Sequence, residues 1–213
     1  MATHEASAVQ DLPREEARRR AVRRGRRLEY LTLGWNLLEA VVAVGAGVAA
    51  GSTALVGFGV DSLIESASGG ALLWRLRDGG EARERAALRL VGVSFLVLAA
   101  YVAWEAAGAL LRREPPEPSR VGIAVAALSL VVMPLLARAK RRVAAVLESR
   151  ALHADSRQAD LCAYLSAILL AGLALNALFG WWWADPVAAL VMVPIIAHEG
   201  WEALRGEECE SCA

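Results

Sequence analysis

TALVGFGVDSLIESASGGALLW (Thr53 to Trp74) is long and apolar enough to cross a bilayer as one helix, yet it carries two carboxylates, Asp61 and Glu65. A charged side chain at the centre of hydrocarbon costs about 2.5–3.5 kcal/mol on insertion scales. Four residues apart, the two acids lie on one face of a helix. Counted from Ser52 at a rise of about 1.5 Å per residue, Asp61 lies roughly 13 Å deep and Glu65 roughly 20 Å. Both positions are near mid-membrane. No arginine falls at that depth in any apolar block, so the pair has no evident cationic partner within the chain. A cation from outside, metal or proton, resolves the electrostatics. The alternative is that the acids pair with arginine or backbone groups and pin helix packing.

The chain around this stretch is built the same way. It has 213 residues, is 56% hydrophobic and has a mean hydropathy of +0.39. Six apolar blocks come close to the spanning length of about 20 residues: roughly 30–50, 54–74, 87–111, 120–137, 159–179 and 183–203, the fourth being the shortest. They predict an all-α polytopic membrane protein with six transmembrane helices. The N-terminus lacks a short apolar core with a small-residue cleavage site, so no cleavable signal is expected. Net charge is zero, but the 23 Lys and Arg residues are unevenly placed. All but Arg112, Arg113 and Arg120 fall on one side of the predicted bundle. The positive-inside rule then puts both termini and the two larger loops in the cytoplasm, with the protein in the cell (inner) membrane. The run REEARRRAVRRGRR (Arg14 to Arg27) is on this reading a topology signal in contact with anionic lipid, and no nucleic-acid partner is expected.

Three parts are expected. Residues 1–29 form a cytoplasmic Arg-rich segment, disordered over 1–12 and helix-compatible from 13 onward. Residues 30–204 form the membrane domain, and 205–213 a short Cys/Glu tail. Gly51, Ser52 and Thr53 leave room only for an antiparallel hairpin between spans one and two. Asp78-Gly79-Gly80 breaks the chain after span two, and Glu114-Pro115-Pro116-Glu117-Pro118 is a stiff external loop, because proline cannot continue a helix. In WWWADP the tryptophans Trp181 to Trp183 suit an interfacial belt, Asp185 a helix cap and Pro186 the first turn of span six. The small residues of VAVGAGVAAG (Val42 to Gly51), ESASGGA (Glu65 to Ala71) and LLAGLALNA (Leu169 to Ala177) let helices approach closely in lipid. Three cysteines are too few for a disulfide framework. Cys209 and Cys212 of the tail supply half a zinc site or belong to an unstructured acidic end.

Other polar residues fall inside the blocks. Span five opens with LHADSRQADLCAY (Leu152 to Tyr164), whose helical spacing sorts Asp155, Gln158 and Cys162 onto one face and His153, Ser156 and Asp160 onto another. Either face could look toward span two. Asp160 is closer to the depth of Glu65, and Asp155 lies near the cytoplasmic mouth, where it also suits a helix N-terminus. Glu39 is a proton site or a hydrogen-bonded neutral acid. Glu105 snorkels or lines an outward path. Asn36 and Asn176 are expected to bond between helices, and His198 and Glu199 to sit at the inner interface.

GSTALVGFGVDSLIESASG (Gly51 to Gly69) resembles span two of the cation diffusion facilitators, and WWWADPVAALVMVPIIAHEGWEAL (Trp181 to Leu204) resembles their last span. The resemblance covers roughly residues 30–204. It implies an exporter of divalent cations, generally proton-coupled, with a tetrahedral site made by an acidic or His pair in span two and a matching i, i+4 pair in span five. The first pair carries over onto Asp61 and Glu65. The second has no clean match: His153 is followed four on by Arg157, Asp160 is preceded four back by Ser156, and Gln158 and Cys162 keep the spacing but change the chemistry. The expected metal residues are therefore Asp61, Glu65, Asp155 and Asp160. The cargo is Zn, Mn, Fe(II) or Co rather than Cu(I), since the ligands are hard oxygens, and no cofactor is expected. Most members carry a cytoplasmic domain after span six; its absence implies a membrane-only member, in which a homodimer would form through the spans or the N-terminal segment. The rival readings are a non-transporting membrane regulator and a membrane-embedded metallohydrolase. For the latter no nucleophile motif stands out.

Overall fold

A computed structural model describes residues 2–78, 81–113 and 116–205, except for the side chains of residues 2–15, 68, 71–78, 81–88, 90–91, 150–151, 154 and 203. The Gly79-Gly80 break and the Cys209/Cys212 tail lie outside the described residues. Six helices follow in chain order: α1 (Ala2–Ala50), α2 (Thr53–Asp78), α3 (Glu81–Arg112), α4 (Arg120–Leu147), α5 (Arg150–Phe179) and α6 (Ala184–Arg205). No strand occurs among the described residues. Helix α1 begins at Ala2. Ala2 to Gln10 contains neither glycine nor proline, and helix α1 runs unbroken through this segment into the first span.

The turns between helices follow from their sequences. Gly51 adopts a left-handed φ of +66°. The Ser52 N–H then donates to the Gly47 carbonyl at 3.0 Å and the Gly51 N–H to Val48 at 3.4 Å, a Schellman ending that satisfies two orphan carbonyls of α1. Ser52 in turn caps α2, accepting from the Leu55 N–H at 3.1 Å. The α1–α2 hairpin is thus set by two residues. Ser119 caps α4 and Ser149 caps α5 in the same manner, and Glu148, left-handed at φ 51°, turns the chain between them.

Among the described residues, four helical stretches are long and apolar enough to cross a membrane by themselves: Glu16–Ala50, Gly92–Arg112, Arg120–Leu147 and Asp155–Phe179. The other two, α2 and α6, carry interior acids. Helix α2 packs against α1, α3, α5 and α6. Its Ala54, Leu55 and Phe58 are fully buried, and of its large apolar side chains only Leu63 is exposed among the described residues. The outward face of the bundle is apolar instead, with Val41, Val48, Val97, Trp104, Val131, Tyr164 and Leu178 exposed. Polar inside and apolar outside is the arrangement that hydrocarbon demands. The molecule is a six-helix, multi-pass membrane bundle in which α2, with Asp61 and Glu65, packs against four of the other helices. Phe179, Trp181 and Trp183 stack in sequence with centroids 5.5 and 5.2 Å apart, in keeping with an aromatic belt at one interface.

Small residues set close contacts between α1 and α2. A Cβ on Gly59 would lie 2.8 Å from the backbone nitrogen of Val44, and one on Gly47 would lie 2.8 Å from that of Val56. Neither backbone can give way without separating α1 from α2. Gly59→Ala is therefore expected to destabilise the protein by about 1–3 kcal/mol, the usual cost of overpacking. Gly34→Ala, where a Cβ meets nothing within 4 Å, should be neutral or stabilising because alanine favours helix. Thermal unfolding of both variants in detergent checks this; equal midpoints would rule out the close contact as a determinant of stability.

Candidate metal site in an acidic cluster around α2

Helix α2 turns Asp61, Ser62 and Glu65 into the bundle, where they are 0%, 0% and 5% exposed. Helix α1 supplies Asn36 and Glu39 to the same region, α5 supplies Cys162 and α6 supplies Glu199. The Asn36 amide donates to Glu65 Oε2 at 3.0 Å. Ser62 donates to Glu39 Oε2 at 2.9 Å, and the Cys162 thiol reaches the same oxygen at 3.8 Å. These bonds satisfy one oxygen of each glutamate. They leave six buried carboxylate oxygens with no partner: both of Asp61, both of Glu199, and one each of Glu39 and Glu65. None of these four acids takes part in an ion pair among the described residues. An unmet buried polar group costs about 1–3 kcal/mol, and more when charged, so the cluster is strongly disfavoured as it stands.

The expected ligands separate into two kinds. Asp61 and Glu65 sit at the centre without a cation. Asp155 and Asp160, both on α5, are each held by a basic residue of α4. Asp160 bonds to Arg141, with both side chains about one-third exposed. Asp155 pairs with Lys140, which also lies 3.2 Å from Glu29 Oε2 of α1. A narrow cleft is lined by Glu29, Thr32, Asn36, Glu65, Asp155 and Gln158, with Leu33, Gly69, Met133 and Ala159 completing its wall. Asp155 and Glu65 thus line one cleft. Asp160 is absent from its lining. Of the two faces of α5, that of Asp155, Gln158 and Cys162 meets α1 and α2. His153 is exposed, and Ser156 turns its hydroxyl back to the His153 carbonyl at 2.6 Å. Among the described residues no three His, Cys, Asp or Glu side chains converge on one point as ligands of a single ion.

Some residues fall in unexpected places. Glu199, expected at the interface, has both carboxylate oxygens buried, because α6 packs against α2 as well as α3 and α5. Its neighbour His198 does face outward, 3.3 Å from Glu202. Lys140 is the chain's only lysine, yet its position just past the fourth apolar block disguised a side chain that is fully buried. Asp185 caps a different helix from its own: it accepts from Ser52 Oγ at 2.5 Å and from the Ala54 N–H at 3.4 Å, at the start of α2. Asn176 bonds to the Pro116 carbonyl of the α3–α4 link at 3.0 Å rather than to another helix. Glu105, 3.9 Å from Arg112, is partly exposed.

A helical membrane bundle that buries uncompensated carboxylates on its central span has the build of an ion carrier. Residues 30–206 match the family model of the cation efflux transmembrane domain, and the chain belongs to that family. Comparison with curated proteins gives no match. The protein is accordingly a multi-pass metal cation transporter.

The two classes of acid respond differently to neutralisation. Asp61→Asn removes a buried charge that has no partner, so its thermal midpoint in metal-free detergent should equal or exceed that of the native protein. Asp185→Ala removes the acceptor that caps α2 and should cost about 0.5–2 kcal/mol, as loss of a cap does. A large loss of stability for Asp61→Asn would show that this carboxylate serves packing.

Proposed function

We propose that the protein exports divalent metal ions of the Zn, Mn, Fe(II) or Co type from the cytoplasm in exchange for protons, with Asp61 and Glu65 as the principal ligands. The observation that supports this most is the set of unpartnered oxygens around α2. A divalent ion bound there supplies the charge that the protein does not. The face of α5 bearing Asp155, Gln158 and Cys162 is the one placed to complete the coordination. Asp155 serves the inward route, while Asp160, paired with Arg141, lies outside the cleft and takes no part in coordination. Carboxylates bind metal or proton but not both, so metal binding releases protons and protons displace metal. Transport on this reading is a rocking of helices about a fixed mid-membrane site that faces first one side and then the other. The uneven distribution of arginine supports a protein of the cell membrane with both termini on the cytoplasmic side.

Electrostatic repulsion gives the coupling its direction. Asp61, Glu65, Glu39 and Glu199 are buried without a counter-ion, and like charges in one bundle oppose each other's ionisation, so an emptied site takes up protons before it turns back. No separate energy source is needed beyond a proton gradient.

Flux assays in proteoliposomes test the reading. With a pH gradient imposed, native protein should move Mn²⁺ or Zn²⁺, and Asp61→Ala or Glu65→Ala should reduce flux to the background of empty vesicles while the protein stays monodisperse. Flux that survives both substitutions ends the exporter reading. Native protein that binds no metal and moves none supports instead a regulator in which the acids serve packing.

A further inference from the structure

The ion triad of Lys140, Glu29 and Asp155 is not absorbed by the site around α2. Its ammonium is fully buried, and it ties α4 to α1 through Glu29 and to α5 through Asp155. The two carboxylates line the same cleft as Asn36 and Glu65. Deeper in that cleft, Asn36 Oδ1 and Glu65 Oε1 are buried and unpartnered. The cleft therefore offers acceptor oxygens along its length, and its first two are occupied by a cation belonging to the chain itself.

We propose that Glu29 and Asp155 form a cation waystation on the way to Glu65, and that Lys140 is the tethered cation that an arriving divalent ion must displace from it. This rests on the transport reading above. Two carboxylates and one ammonium carry a net charge of −1, which attracts cations. Exchange of the ammonium for a divalent ion makes the two-carboxylate station neutral, as a passing site requires. The residue type fits the task. The chain uses arginine at every other basic position, and an arginine fork would clamp a carboxylate in two places. A lysine ammonium is a compact point charge on a flexible stem, able to let go and return. While in place it also braces α1, α4 and α5, so its displacement loosens the helices that must move.

The test is Mn²⁺ binding to detergent-purified protein, with free ion counted by electron paramagnetic resonance. Lys140→Met should bind one Mn²⁺ more per chain than native protein. The added equivalent should vanish when Glu29→Gln and Asp155→Asn are combined with it, and should not arise in Lys140→Arg. Native stoichiometry in Lys140→Met overturns the proposal. A Lys140→Met protein that is recovered folded only with Mn²⁺ present supports it, because the metal then replaces the lost ammonium; one that is unfolded with and without Mn²⁺ overturns it. Asp61→Ala made in each background keeps the two ideas apart. If it leaves native Mn²⁺ binding unchanged, the mid-membrane ligand assignment fails, whether or not the added equivalent is seen.

Discussion

Negative charge held in a low-dielectric bundle without a counter-charge is the constraint on which this structure turns. Asp61 has neither a hydrogen-bond donor nor a cation on either oxygen, although it is wholly buried. A chain that needed these groups only for packing had simple alternatives. An asparagine in place of Asp61 could donate as well as accept, and a serine such as Ser66 satisfies itself by bonding to the Ser62 carbonyl one turn back, at 2.9 Å. The chain uses such groups freely elsewhere: Thr32 bonds to Leu28, and Ser166 to Cys162. At Asp61 it does not. The fold tolerates the deficit by surrounding α2 with other helices, so that no lipid faces its acids.

The two ends of the bundle are secured by different forces. At the end holding the α1–α2 turn, neutral and capping hydrogen bonds dominate. Ser52 and Ala54 bond to Asp185, the Glu117 N–H donates to Ala50 at 2.8 Å, and Asn176 holds Pro116. These bonds join α2, α6, α5 and the α3–α4 link without involving a mobile charge. At the opposite end the ties are ionic, through Lys140 and Arg141. A buried ion pair is strongly weakened when one partner is taken away or outcompeted, whereas a backbone cap is indifferent to ions. Ion arrival can therefore act on one end of the bundle and leave the other as a pivot.

The sequence revealed the fold well and the site in part. The six apolar blocks and the short hairpin at Gly51, Ser52 and Thr53 depend on local chemistry, and they could be read directly. So could the placement of Asp61 and Glu65 on one buried face, since helical spacing alone decides it. What could not be read was which residues of other helices meet them. Helical spacing sorted α5 into two faces but left their order around the helix axis open. Packing against α4, α6 and α2 decides that, and it brings Asp155, Gln158 and Cys162 inward. Asp160 was attractive by depth alone, yet Arg141 on the neighbouring helix claims it. Glu199 lies in a segment that reads as an interfacial end, and only the tertiary fit of α6 against α2 buries its oxygens. A signal for Lys140 did exist. One lysine in a chain that otherwise relies on arginine is a choice, and Asp155 and Asp160 early in the next helix are acids for it to meet.

Paired and unpaired acids thus divide the labour along one cleft. Glu29 and Asp155 already hold a cation, and their attraction for a second is weak until the first departs. Glu65 and Asp61 hold none, and their attraction for a divalent ion is the larger for it. On the proposed route a cation moving inward along the bundle passes from oxygens with a built-in competitor to oxygens without one. That order makes the deep position the better binding site and the mouth the easier one to leave. It also explains why neither set is sufficient alone. Unpaired acids at the mouth would trap the ion early, and a lysine at the centre would exclude it.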